Sequence, residues 1–101
     1  MQTTIKSFEE FLGETHDILA GNPATAAKTH MAVIRTNGGA VHHHSEKDGI
    51  HTVVHSSKGG AMKVSEIHPS SDKNNSSIII TRRANDKEKN RYSGKLIVSE
   101  K

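Results

Sequence analysis

The chain has 101 residues, 32% of them hydrophobic and 3% aromatic, with a formal net charge of +3 and no cysteine. That length fits a single domain over 1–101. The missing cysteines exclude a disulfide framework and a thiolate metal site, and no run approaches the roughly 18 apolar residues of a membrane span.

The first six residues lack the apolar stretch of a signal peptide, which with the absent cysteines predicts a cytoplasmic protein. Ser7-Phe8-Glu9-Glu10 has the form of a capping box. Phe8, Phe11, Leu12, Thr15, Ile18 and Leu19 follow at helical spacing, so an amphipathic helix is expected over 7–20, with Gly21 as its left-handed cap and Pro23 stopping it. Thr29 to Thr36 alternates, with His30, Ala32 and Ile34 opposed to Met31, Val33 and Arg35, as a strand would. Asn37-Gly38 then reads as a hairpin turn.

Ala40 to His44 is a short returning strand, and Lys47-Asp48-Gly49 a three-residue loop. Ile50 to Ser56 alternates again, and Lys58-Gly59-Gly60 turns the chain into a strand over 61–67. Residues 69–77 are polar loop. Ile78-Ile79-Ile80 is apolar on both faces, the pattern of a central strand buried on both sides. A charged excursion over 84–93 leads to a last strand over 95–99. The expected fold is α+β: an N-terminal amphipathic helix packed on an antiparallel sheet of five or six short strands.

The positive charge is lopsided. Residues 1–80 hold seven Lys/Arg against eight Asp/Glu, whereas 81–101 hold seven against three. A concentrated basic segment is an electrostatic footprint for phosphate backbones or an acidic protein surface. Arg82, Arg83, Lys87, Lys89, Arg91 and Lys95 can neutralise phosphates, and Tyr92, the single tyrosine, can stack on a base. No recognition helix is evident, so binding by shape and phosphate is expected, with RNA favoured over DNA.

Eight histidines are the compositional oddity. With a three-residue loop at 47–49, His43, His51 and His55 share a face and could hold zinc or another borderline divalent metal. A one-residue slip would bring His42 and His44 into that set. No Walker loop, Gly-x-Ser-x-Gly elbow or His-Glu-x-x-His pattern occurs, and a non-enzymatic role is expected. Thin core composition and strand edges also suit a small protein-binding or inhibitory accessory protein of phage or mobile-element type, or a homodimer through a strand edge.

Phe8-Glu9-Glu10-Phe11, followed by Asn22-Pro23 and an alternating segment up to residue 36, resembles the start of the nine-kilodalton subunit family of the signal recognition particle. That resemblance implies an α-β-β-β-α fold, a partner subunit and binding to the Alu region of the particle's RNA. It covers about 30 residues and assigns no site residue. The C-terminal helix it implies is not what 77–99 suggests, since that stretch reads as strands.

Overall fold

The computed structural model describes residues 15–70 and 75–97. Their order is β1 (Thr15–Ala20), α1 (Pro23–Thr36), β2 (Ala40–Lys47), β3 (Ile50–Ser56), β4 (Met62–Pro69), β5 (Ser76–Arg83) and α2 (Asp86–Tyr92). The strands form one open antiparallel sheet in the order β1-β5-β4-β3-β2. The architecture is α+β, but not an N-terminal helix followed by a sheet.

Residues 15–20, expected as the last turns of a helix, are an edge strand paired with β5, Ile18 facing Ile78 and Leu19 facing Ser77. Cross-strand pairing with the isoleucine run outweighs the local helical spacing. The rest of that expected helix, residues 7–14, lies outside the described residues.

The stretch expected as a strand over 29–36 is the second half of α1. Asn22 caps it, its side chain accepting from the Thr25 amide at 2.9 Å, and Pro23 occupies the first turn, where its missing N–H costs nothing. Pro23 therefore starts a helix rather than stopping one. Asn37-Gly38 ends it and is not a hairpin. The Gly38 amide donates to Arg35 and the Gly39 amide to Ile34, with Gly38 left-handed at φ 88°, which is a Schellman closure.

Gly39 is required by space. A Cβ there would sit 2.4 Å from the Ser56 carbonyl oxygen and 3.0 Å from Ile34 Cγ2. Gly39→Ala is expected to cost about 2 kcal/mol or more, since backbone must move. Gly59→Ala, whose Cβ would meet only Ser57 Oγ at 3.9 Å, serves as the control. Urea denaturation of both variants checks this, and equal midpoints would refute it.

Three further expectations are corrected. The charged excursion contains α2, capped by Asn85 in a reciprocal box with Glu88. The β2–β3 turn has two central residues, Asp48 at φ 55° and Gly49 at φ 83°, so Lys47 faces Ile50. In place of the last strand over 95–99, the described part has one bridge, Ile97 to Val41, with the Ile97 amide donating at 2.7 Å; residues 98 and 99 lie outside the described residues.

Opposed residues of an antiparallel sheet share a face, so the register sorts the side chains. Val53, Ile67 and Ile79 face α1 and pack with Ala26, Ala27, Met31, Ile34 and Val41 as the main core. Val54 and Val64 point the other way and form a smaller cluster with Ala84, flanked by Met62 and Tyr92. β5 is an interior strand next to the β1 edge rather than the central one, and Ile79 alone of its isoleucines is buried; Ile78 and Ile80 are half-buried on the α2 side. No helix among the described residues is long and apolar enough to cross a membrane.

Candidate nucleic-acid interface

Arg82 and Arg83 sit at the end of β5 and point to opposite faces. Arg82 turns toward α2. Its guanidinium donates to both Glu88 oxygens, at 2.8 and 2.7 Å, while Glu88 also accepts from the Asn85 amide. The Arg82 hydrogen bond holds the Glu88 carboxyl below its ordinary range, with the Asn85 amide helping and burial opposing. Arg82 is thus a brace that fastens α2 to the sheet.

Tyr92 is also engaged. Its ring stacks on His43, with centroids 4.7 Å apart at 27°, and Arg91 lies 6.0 Å from its centroid. The ring expected to meet a base is packed against an imidazole in the α2–sheet contact.

The remaining cations are exposed. Arg83 and Lys89 meet at a cleft of about 440 Å³, where β4 begins and β5 ends. Lys63 joins them from β4, directly opposite Arg83 in the register. Thr15 and Thr81 supply hydroxyls to the walls, and among the described residues no carboxylate lines them. Lys87 and Arg91 border a separate cleft of about 280 Å³ under α2. Lys95 follows the helix, and its carbonyl accepts from His42 Nδ1 at 2.6 Å.

Sequence proximity does not group Lys63 with the basic segment after residue 80. The signal was available in the antiparallel pairing of 61–67 with 77–83, which places position 63 beside the end of β5.

The histidines do not assemble as expected. The two-residue turn puts His43 opposite Val54, on the α2 side, and a bulge between Val41 and His43 returns Val41 to the α1 side. His51 and His55 lie on the α1 side. His44 meets His51 instead, at 2.9 Å between ring nitrogens. Burial, then His44, lowers the affinity of His51 for a proton, while Glu46 raises it. Among the described residues no three His, Asp or Glu are placed to hold a metal ion.

A buried network lies beneath α1. The Ser65 hydroxyl contacts His30 Nε2 at 2.9 Å, His55 Nε2 at 2.8 Å and Thr81 Oγ1 at 2.8 Å. One donor and two acceptors are all a hydroxyl has, so Ser65 is filled. Burial, then the charges of His30, Lys63 and His42, pushes the His55 pKa down to about 4. Burial lowers His30 too, opposed by Asp17. A serine this close to an imidazole is the geometry of an activated nucleophile, but Ser65 has no exposed surface for a substrate to reach.

His42 makes the other long-range link. Its Nδ1–H donates to the Lys95 carbonyl, an acceptor only, and its Nε2 hydrogen-bonds the Ser56 hydroxyl at 2.9 Å. That chain ties the segment after α2 to the β2 edge. No family model, curated protein or solved structure matches this chain.

Proposed function

We propose that the chain is a non-enzymatic nucleic-acid-binding module, with RNA favoured, and that its contact surface is the basic end of the sheet. The observation that carries this reading is the cleft that Lys63, Arg83 and Lys89 all line, with no carboxylate in its walls among the described residues. Charges without an ion-pair partner among the described residues are the ones free to replace the counterions of a phosphate backbone.

The geometry favours phosphate and shape recognition over base reading. α2 is seven residues long and tied to the sheet through Arg82 and Tyr92, and α1 buries its inner face in the core. Neither is presented as a helix for the major groove.

Fluorescence anisotropy with a short single-stranded RNA over a salt series tests the proposal. Three phosphate contacts correspond to a slope of about −2 in log affinity against log salt, or roughly tenfold weaker binding between about 0.05 and 0.2 M. Arg83→Ala with Lys89→Ala is expected to flatten that slope. Affinity indifferent to salt, or to the double variant, would remove the reading.

One observation favours a protein partner as a second reading. β1 is an edge strand and its Ile18 is 73% exposed, a combination that suits strand addition. A pull-down whose partner survives nuclease treatment would favour it over the first.

A further inference from the structure

The cleft gathers more positive charge than an internal phosphodiester needs. Three cations come from three elements: Lys63 at the start of β4, Arg83 at the end of β5 and Lys89 on α2. An internal diester presents a single negative charge. A terminal monoester carries about −1.5 to −2 at neutral pH and offers three oxygens. Resting on the nucleic-acid reading above, we propose that this cleft receives the terminal phosphate monoester of an RNA strand.

Among the described residues the nearby acids lie outside the walls of the cleft. Glu88, the α2 carboxylate turned inward, is held by Arg82 and the Asn85 amide. Asp86 is exposed and outside the walls. Asp17 lies two residues along β1 from Thr15 and does not line the cleft.

The hydroxyls complete the cradle. Thr15 and Thr81 face each other in the register and both line the cleft. When His30 and His55 both donate through Nε2, Ser65 donates to Thr81, and the Thr81 O–H is left to donate outward. Arg83 brings a planar fork and the two lysines bring compact charges, a mixture suited to oxygens pointing in several directions. Ala61 and Met62 add apolar wall beside the cations, and the cleft volume of about 440 Å³ falls in the range of small-ligand sites.

The test compares one short RNA with a phosphate at its 5′ end, with a phosphate at its 3′ end, and with hydroxyls at both ends, by anisotropy at about 0.1 M salt. A phosphorylated end is expected to bind roughly fivefold tighter or more, the effect of about 1 kcal/mol. Arg83→Gln with Lys89→Gln, both exposed positions, is expected to erase that difference while circular dichroism stays unchanged. A nucleoside monophosphate should compete where the nucleoside does not. Equal affinity for all three RNAs overturns this inference and leaves the nucleic-acid reading standing, whereas no binding of any of them removes both. Inorganic phosphate competing as well as the nucleoside monophosphate also overturns it, by assigning the cleft to free phosphate.

Discussion

Acidification from about pH 7.5 to about pH 4 is expected to remove about 3 kcal/mol of folding stability through His55 alone. In an unfolded chain an imidazole titrates near 6.5, whereas folded His55 resists protonation down to about 4. Above 6.5 the residue is neutral in both states and its contribution is fully present. As pH falls through that window, the unfolded chain takes up a proton that the folded protein refuses. At roughly 1.4 kcal/mol per factor of ten in proton affinity, the loss reaches about 3 kcal/mol near pH 4. That is a large share of the roughly 5–15 kcal/mol that holds an ordinary domain together.

The physical cause is the crowding around a ring that is only 6% exposed. His30 approaches from α1, with ring centroids 5.4 Å away, Lys63 comes from β4 and His42 from β2. Among the described residues no carboxylate is among the groups acting on His55, and the charges that do act on it all oppose its protonation. His30 shifts in the same direction and adds to the effect. Urea midpoints at several pH values check the prediction. His55→Gln, which keeps a polar group near Ser65, is expected to be less stable at neutral pH yet to lose less than half as much on acidification. A variant with the wild-type slope would show that another group carries the acid sensitivity.

The β2–β3 hairpin and the strands over 50–56, 61–67 and 77–83 could be read from the sequence because alternation and Gly-containing turns act locally. The N-terminal part misled for an identifiable reason. Asn22-Pro23 suits either a helix that has just ended or one about to start, and Asn37-Gly38 suits either a hairpin or a helix cap. The first meaning of each makes 7–20 a helix and 29–36 a strand, where the structure has β1 at Thr15–Ala20 and α1 at Pro23–Thr36. The alternation of Thr29 to Thr36 was incidental. The residues that α1 buries are Ala26, Ala27, Met31 and Ile34, a helical set whose alanines carry little hydrophobic signal.

The basic end was legible as composition but not as geometry. Its charge is concentrated after residue 80, yet which cations are available depends on pairing that no linear pattern reveals. Arg82 and Arg83 are neighbours in sequence with opposite fates, because successive strand residues point to opposite faces. One is held by Glu88 and the other reaches the cleft. The histidines teach the same lesson. One residue fewer in the β2–β3 turn placed His43 on the Tyr92 side and brought His44 to His51.

Substitution along the isoleucine strand is the second large expected effect, and it separates the two faces of the sheet. Ile79 is 1% exposed within the α1 core, touching the layer formed by Ala26, Ala27, Met31 and Ile67. Ile79→Ala removes three carbons from a packed site and is expected to cost about 3 kcal/mol, combining lost transfer energy with the cavity left behind. Ile78 is half-buried on the α2 side, and its neighbour across the pair, Ile18, is 73% exposed. Ile78→Ala should fall between the two extremes, and Ile18→Ala should stay within about 0.5 kcal/mol. The ordering Ile79, Ile78, Ile18, read from urea midpoints with unchanged slopes, follows from one helix covering one face and a shorter helix covering part of the other. Ile18→Ala as costly as Ile79→Ala would mean that the β1 end of the second face is covered in the folded protein, and would refute this division of the core.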